Sequence, residues 1–278
     1  MPMTRIVDDH YVANSNNADI NTSEFKRELN GLFGTRTGQD LENANLWSNI
    51  HDLIEKKTSA APTEPSDDQL ICRYFSPIKF LWFLSQKAIF FSRSNGFDDA
   101  RDSMIPEDYN QCVQSLLMKR KVIPLNWDEH VRLMQSRWLV SCWTEITGPH
   151  DDYLLWHRYA GGKDGVGITL RYGMLRDLFK KSLKADQYTE GLLYAGYVSY
   201  EQPLKIAPFN KRRMFRNEKE IRFVSRTDIL ACAQIEITDL LPEIGLRLSP
   251  EVSDEHHAAI RELWLRSGGK DRIHRAGG

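Results

Sequence analysis

The hydrophobic and polar positions along the chain predict a protein that mixes helices and strands. Near the start, apolar residues recur at helical spacing over 23–33 and again over 40–57, so two short amphipathic helices are expected there. A stretch rich in Pro, Ser and Asp follows at 58–69 and is typical of a linker. Beyond it, short apolar runs predict strands at 70–76, 88–92, 138–145, 166–172, 192–200, 220–225, 232–238 and 244–249. Helical spacing and start signals predict helices at 77–87, 127–137, 151–160, 174–185 and 254–266.

The order of these elements favours an α+β fold, because the strands late in the chain outnumber the helices that could connect parallel strands. We therefore expect a mainly antiparallel mixed sheet flanked by helices. Three parts are expected along the chain: a small helical N-terminal extension with its linker over 1–69, a main domain over 70–267, and a flexible basic tail over 268–278.

Composition and charge narrow the class of protein. The start of the chain lacks the apolar core of a signal peptide, and no apolar run approaches the roughly 20 residues needed to span a bilayer. The four cysteines have no CxxC spacing, which is typical of reduced thiols rather than of a disulfide framework or a zinc site. We therefore expect a cytoplasmic protein that does not engage a membrane. The net charge of −1 gives the whole chain no general attraction for nucleic acid.

One segment, 205–226, departs from this balance, since eight cations lie in it against the two carboxylates Glu218 and Glu220. Such an excess can attract a nucleotide ligand, a nucleic acid or a protein acceptor, although a solvated loop would carry the same charges. Both interpretations stay open at this point. The eight cations are Lys205, Lys211, Arg212, Arg213, Arg216, Lys219, Arg222 and Arg226.

The acidic pair in this segment stands at the entrance to a predicted strand, where Glu218, Glu220 and Arg222 are two residues apart. Since side chains alternate between the faces of a strand, all three are expected on one face, with Ile221 and Phe223 on the other, toward the core. Paired carboxylates are common acid–base or cation-stabilising groups, and an adjacent Arg offsets their repulsion. A structural ion pair on a solvated edge strand is the alternative interpretation.

Three aspartates follow the second predicted strand, at Asp98, Asp99 and Asp102. With Glu218 and Glu220 they offer carboxylate oxygens for a divalent cation, which would suit a metal-dependent nuclease or phosphoesterase. Turn formation accounts for these aspartates equally well, because Asp is a frequent turn residue. No metal ligand is therefore assigned from the sequence.

Six short motifs stand in a specific order along the chain. They are Arg73-Tyr74, Phe97-Asp98-Asp99, Ser141-Cys142-Trp143-Thr144, Trp156 to Tyr159, Lys163 to Gly167 and Glu218 to Arg222. In this order they resemble a widespread bacterial family catalogued as domain of unknown function 2971, over about residues 70–265. The chain departs from that family's pattern at 99–102, where Asp-Ala-Arg-Asp replaces the usual Pro and Glu, so no catalytic acid is assigned there. The family name implies no activity, so the function has to come from the site.

The same order is similar to that of ADP-ribosyltransferases, which have an early Arg or His, a middle Ser, Thr or Tyr and a late Glu. The matching residues are Arg73, Ser141 or Thr144, and Glu220, with Glu218 at the upstream position of a Glu-x-Glu pair. The resemblance implies an enzyme that binds NAD and cleaves its bond to nicotinamide. It implies that Glu220 stabilises the positive charge that develops on the ribose, while Glu218 orients or deprotonates the acceptor. Arg73 would pair with the pyrophosphate or the ribose.

Aromatic and basic side chains are the candidates for holding the cofactor, because flat rings stack on nicotinamide or adenine. The candidates also have structural alternatives: an Arg such as Arg73 often serves a buried ion pair, and a Ser such as Ser141 fits a small core position. The cofactor-binding candidates are Tyr74, Trp143, Trp156, Tyr159 and Arg222.

The resulting hypothesis is an ADP-ribosyltransferase-like or NAD-glycohydrolase enzyme with NAD as its cofactor. Its catalytic residues would be Glu220, Glu218, Arg73 and Ser141. Two alternatives stay open: a metal-dependent nuclease or phosphoesterase, and a non-catalytic module that binds a nucleotide or a protein, with residues 1–69 as a docking arm. A toxin, a phage-defence effector and a housekeeping factor are equally compatible with these residues.

Overall fold

In the part of the chain that the structure describes, nine strands form one mixed sheet. The computed structural model describes residues 22–34, 49–50, 53, 61–97, 102, 107–119, 132, 135–146, 148, 153–185, 192–200, 204, 206–227 and 232–276. Residues 1–21 of the predicted extension, most of the predicted helix at 40–57 and most of the predicted helix at 127–137 lie outside these residues.

The strands are β1 (Leu70–Phe75), β2 (Ala88–Arg93), β3 (Trp138–Glu145), β4 (Val166–Arg171), β5 (Tyr194–Tyr197), β6 (Glu220–Arg226), β7 (Cys232–Glu236), β8 (Gly245–Leu248) and β9 (Ile273–Arg275). The main path through the sheet runs β5-β6-β3-β1-β4-β8-β9, and β2 pairs with β3 and carries β7 on its other edge. Every pair is antiparallel except β8–β9, which is parallel. The α+β prediction with a mainly antiparallel mixed sheet is confirmed.

The described α-helices are α1 (Thr22–Phe33), α2 (Pro77–Gln86), α3 (Glu107–Lys119), α4 (Tyr153–Tyr159), α5 (Tyr172–Ala185) and α6 (Asp254–Arg266). Local signals set several of their ends. Pro77 opens α2, where its missing N–H leaves no bond unmade, and Lys87 closes the helix in the left-handed region at φ 47°. Ser253 caps α6 by accepting a hydrogen bond from the His256 N–H. Helix α3 was not predicted from the sequence.

Strand β3 is the branch point of the sheet. It pairs with β6 from Trp138 to Thr144 on one side, while on the other side its first half pairs with β2 and its last residues pair with β1. Arg73, on β1, reaches across the gap that opens between β1 and β2. Its Nη1 donates to the Phe90 carbonyl at 3.0 Å and to the Ser141 hydroxyl at 2.8 Å. The side chain thus provides hydrogen bonds where strand pairing is interrupted.

Apolar clusters cover both faces of the sheet around β3 and β6. Trp143 and Phe223 belong to the main core, together with residues from helices α2, α5 and α6. Val140 and Val224 lie on the opposite face and pack with Leu204 in a second cluster. Because directly opposite residues of an antiparallel pair share a face, the β3–β6 register places Glu220 and Arg222 on the face of this second cluster.

The predicted linker, the described part of the N-terminal extension and the predicted tail all contact the rest of the protein. Residues 61–69 form no free linker, since the Tyr197 N–H donates to the Thr63 carbonyl, the Tyr172 hydroxyl donates to Glu64, and the Gly173 N–H donates to the Asp67 carbonyl. Helix α1 and the buried Ile50 and Leu53 share an apolar cluster with α3 and Ala207. These parts of 1–69 therefore pack against later parts of the chain. The predicted flexible tail contains β9, whose backbone pairs with β8.

Candidate functional site

The two carboxylates of the Glu-x-Glu pair are presented by different backbone elements. Glu218 ends a 3₁₀ helix that spans Arg213–Glu218, and Glu220 begins β6. Lys219 between them lies in the left-handed region at φ 43°, a conformation that is about 1–2 kcal/mol unfavourable for a non-glycine residue. The expectation that Glu218 shares a strand face with Glu220 and Arg222 is therefore wrong. Alternation along a strand cannot apply to a residue that precedes the strand through a turn.

Lys211 brings the two carboxylates together. Its Nζ lies 2.6 Å from Glu218 Oε2 and 2.8 Å from Glu220 Oε2, and its side chain is almost completely buried. The Lys211 N–H donates to the Ser199 carbonyl at 3.0 Å, which fixes the backbone from which this side chain extends. Burial lowers the pKa of Lys211, but Glu220 and Glu218 outweigh that effect and raise it above its ordinary value. Lys211 is therefore a permanent cation between the two carboxylates.

Arg222 lies beneath this pair and is fully engaged. Its Nε donates to Glu220 Oε1 at 2.7 Å, and its two terminal nitrogens bind both oxygens of Asp102 at 2.6 and 2.7 Å. It also donates to the Pro208 carbonyl. Burial alone would raise the pKa of Glu220, but Arg222 and Lys211 hold that pKa at about 2. Glu220 is thus ionised at every physiological pH.

Among the residues that the structure describes, the charges of this cluster balance when the neighbouring helix α4 is included. Asp102, Glu218 and Glu220 contribute three negative charges, Lys211 and Arg222 contribute two positive ones, and Arg158 on α4 supplies the third. A buried ion costs several kcal/mol unless it is paired, so the pairing of these opposite charges offsets the cost of burying them.

The solvent boundary of the cluster is formed by two residues of α4. Arg158 Nη1 and the Tyr159 hydroxyl both donate to Glu218 Oε1, the latter at 2.8 Å. Glu218 itself is 4% exposed, whereas Tyr159 is 41% exposed and the Arg158 side chain 48%. Phe215 lies beside them, with its ring centroid 5.3 Å from the Arg158 guanidinium and 4.9 Å from Lys211 Nζ. Glu218 is therefore the carboxylate closest to this boundary, while Glu220 lies deeper.

The strand register decides which other predicted residues join the site. Thr144 lies directly opposite Glu220, and Cys142 opposite Arg222, so both are on the carboxylate face. Burial, with Glu220 adding to it, raises the pKa of Cys142 well above its ordinary value, so this thiol stays protonated. Thr144 is the alternative to Ser141 that the sequence offered, and it is the one on the same face as Glu220.

Arg73 and Ser141 lie on the other face of the sheet. Ser141 faces Phe223 across the strands, accepts a hydrogen bond from the Trp143 indole at 3.1 Å and another from Arg73. Burial lowers the pKa of Arg73. The two residues thus contact each other, but the sheet separates them from Glu220.

The cofactor-binding candidates are also divided. Tyr159 and Arg222 belong to the charge cluster, whereas Trp143 packs in the main core. Tyr74 and Trp156 contact each other edge-to-face with ring centroids 4.9 Å apart, and Trp156 is 1% exposed, with an indole N–H that has no hydrogen-bond partner among the described residues. Of the five candidates, Tyr159 is the one whose ring is exposed at the rim.

The carboxylates proposed for a metal site do not gather around a cation site in the described part of the chain. Both oxygens of Asp102 are taken by Arg222, and Glu218 and Glu220 are held by Lys211. No group of three His, Cys, Asp or Glu residues is placed to hold a metal ion within the residues that the structure describes. Asp98 and Asp99 lie outside those residues.

Lys211 and Arg158 are the partners of the Glu-x-Glu pair that the sequence did not assign, and Asp102, grouped with that pair as a possible metal ligand, binds Arg222 instead. In the sequence, Lys211 is one of eight cations in the basic segment, and Arg158 is an unassigned member of the Trp156–Tyr159 motif. The segment itself divides in the structure: Lys211 and Arg222 are buried, and Arg212, Arg213, Arg216 and Lys219 are exposed.

Comparison with protein-family models, curated proteins and solved structures finds no match to this chain. The resemblances drawn from the motifs therefore stay predictions. In addition, no helix in the described parts of the chain combines the length and the apolar character needed to cross a membrane.

Proposed function

We propose that this protein is an NAD-cleaving enzyme of the ADP-ribosyltransferase or NAD-glycohydrolase kind, with its site at Glu218 and Glu220. The observation that carries the proposal is the convergence of these two carboxylates on one ammonium group, beneath a rim formed by Arg158 and Tyr159. Two fixed anions beside a solvent-exposed rim suit a reaction whose transition state is cationic.

Cleavage of the bond between nicotinamide and ribose develops positive charge on the ribose. A carboxylate that is already ionised and oriented stabilises that charge without reorganising, and the hydrogen bonds from Lys211 and Arg222 hold Glu220 ionised and in place. Glu218 lies nearer the rim, where it would orient the attacking water or acceptor hydroxyl. Thr144, opposite Glu220, takes the place that the sequence assigned to Ser141 or Thr144.

The rim residues fit part of an NAD molecule. The exposed ring of Tyr159 offers a surface for the nicotinamide, and Arg158 offers a cation for a phosphate. The nicotinamide ring of oxidised NAD is itself cationic, so it would replace the Arg158 guanidinium beside Glu218. Trp143, Trp156 and Arg222 are given no contact with NAD in this arrangement, because Trp143 packs in the main core, Trp156 packs against Tyr74, and Arg222 binds Glu220 and Asp102.

The test is nicotinamide release from NAD, measured by mass spectrometry on the purified full chain, alone and with a cell extract that supplies acceptors. Glu220→Gln should lower the release at least about 100-fold, as loss of a preorganised electrostatic group does. Glu243→Gln is the matched control, because it removes a carboxylate from an exposed ion pair with Arg272 and should leave the rate unchanged.

Two results would reject the proposal. One is intact NAD with the wild-type chain both alone and with the extract. The other is a wild-type rate in Glu220→Gln and Glu218→Gln variants whose circular dichroism shows that they are folded.

A further inference from the structure

The 3₁₀ helix that ends at Glu218 carries the exposed part of the basic segment. A 3₁₀ helix has three residues per turn, so residues three apart lie above one another. Phe215 and Glu218 form a row turned toward the protein, in which Glu218 is buried and Phe215 is partly buried. Arg213 and Arg216 form the adjacent row, and both are exposed. Arginines therefore face solvent directly beside the rim of the carboxylate site.

Phe215 holds cations on its ring at this rim. The guanidinium carbons of Arg158 and Arg212 each lie 5.3 Å from the ring centroid, and Lys211 Nζ lies 4.9 Å from it. Cation–π contacts of this kind restrict flexible basic side chains and so reduce the entropy lost when they bind an anion. The ring thus connects the buried ammonium of the site to the exposed arginines outside it.

The side chains between the arginines point to the kind of anion. Met214 is 69% exposed and Asn217 is exposed, so an apolar and an amide side chain stand beside Arg213 and Arg216. The rise of about 2 Å per residue places the two arginine Cα atoms about 6 Å apart along the helix axis. That separation is close to the distance between successive phosphates of an unstacked strand. Arg forks suit phosphates, and flat or apolar side chains suit unstacked bases.

A membrane surface fits this row less well. Within residues 206–227, all of which are described, Met214 is the one large apolar side chain that is exposed. A membrane-binding surface combines cations with several large apolar side chains that enter the lipid boundary. The alternation of Arg, Met and Asn favours a single-stranded nucleic acid.

We propose that Arg212, Arg213 and Arg216 form a docking surface for single-stranded nucleic acid, and that this strand supplies the acceptor for the site at Glu218. The acceptor part rests on the proposed function, while the binding part does not. In the transfer, an acceptor oxygen or nitrogen bonds to C1′ of the ribose as the bond from C1′ to the nicotinamide nitrogen breaks. The electron pair of the broken bond stays on that nitrogen, and the acceptor proton passes to Glu218 and then to water.

Binding is tested by fluorescence anisotropy of labelled single-stranded RNA and DNA of about 20 nucleotides, longer than the site of common single-strand binders. The full chain is used without NAD. The variant carrying Arg213→Gln and Arg216→Gln should bind at least tenfold more weakly. The slope of log Kd against log salt should fall by about 1.4, since each lost phosphate contact on a single strand removes about 0.7.

A matched control carries Arg171→Gln and Arg266→Gln, two exposed arginines on other elements with the same change in charge. It should bind within about twofold of wild type, as mutations outside the contact surface do. Equal weakening in both double variants, or no saturable binding by the wild-type chain, would overturn the docking surface. Binding to phosphatidylserine vesicles and to polyglutamate is measured in parallel. If loss of Arg213 and Arg216 weakens binding to either probe more than it weakens binding to the single strand, the choice of nucleic acid is overturned.

The acceptor assignment has its own readout. With NAD present, the bound strand should gain the mass of one ADP-ribosyl group. A chain that binds the strand but leaves NAD intact, both with the strand and with the cell extract, overturns the proposed function and leaves the docking surface standing. A chain that releases nicotinamide without modifying the strand it binds overturns the acceptor assignment alone.

Discussion

Arg73 Nη1 donates a hydrogen bond of 2.8 Å to the Ser141 hydroxyl, on the face of the sheet opposite Glu220. The same guanidinium group binds the Phe90 carbonyl where β1 and β2 diverge from β3. These contacts give both residues a structural role at the branch of the sheet. They also explain why Arg73 does not reach the carboxylates.

The first prediction concerns this branch. Arg73→Met should lower the free energy of unfolding by roughly 2–3 kcal/mol, because it removes the hydrogen bonds that Arg73 donates to the Phe90 carbonyl and to the Ser141 hydroxyl. Ser141→Ala, which removes a smaller group, should lower it by about 1 kcal/mol. Urea denaturation measures both effects. If the Arg73→Met chain keeps wild-type stability but loses all nicotinamide release, Arg73 has a role in the active site rather than a structural one.

The second prediction is a loss of stability in acid that depends on Glu220. The pKa of Glu220 is about 2 in the folded protein, against an ordinary value of 4.5 for a glutamate. The ionised carboxylate therefore stabilises the folded form fully above about pH 4.5. That gain, roughly 3 kcal/mol at neutral pH, is lost as the pH falls from 4.5 toward 2. Urea unfolding at a series of pH values should show a flatter profile for Glu220→Gln over this window. Glu243→Gln should keep the wild-type profile, and equal slopes in all three proteins would contradict the assignment.

The third prediction tests the shared ammonium group. Lys211→Met should destabilise the fold by about 3–5 kcal/mol, because it leaves two buried carboxylates without their common cation. The combination with Glu220→Gln should be less damaging than the sum of the single changes, since one of those carboxylates is then neutral. A double-mutant cycle in urea measures the coupling, and strict additivity would show that Lys211 and Glu220 are not linked.

The fourth prediction tests whether residues 61–69 belong to the folded domain. Gly196 lies at φ 155°, and a Cβ there would lie 2.7 Å from the Thr63 carbonyl oxygen and 2.9 Å from Pro62 Cβ. Gly196→Ala should therefore cost about 1–3 kcal/mol, as overpacking does. Gly96→Ala is the control, because nothing lies within 4 Å of its added Cβ. Faster cleavage of the 61–69 region in limited proteolysis should accompany the first variant, and identical cleavage of both variants would argue against the packing.

Local sequence rules account for most of the elements. The predicted strand at 138–145 and the predicted helix at 254–266 have the bounds of β3 and α6, because apolar runs and a Ser cap act through neighbours along the chain. The same rules place Glu220 and Arg222 on one face of β6, with Ile221 and Phe223 in the core. They failed for Glu218, where a left-handed Lys219 interrupts the alternation.

The sequence by itself determined the α+β class, the types and approximate limits of most elements, and the clustering of acidic and basic residues near 220. The tertiary structure alone decided which of those residues meet. A shift of β1 by one residue against β3 would move Arg73 to the other face, and that register is set by packing across the whole sheet. For the same reason, Lys211 and Arg158 reach the Glu-x-Glu pair, and Asp102 reaches Arg222, from three separate positions in the chain. Their contacts form only once the sheet and helix α4 have brought distant parts of the chain together.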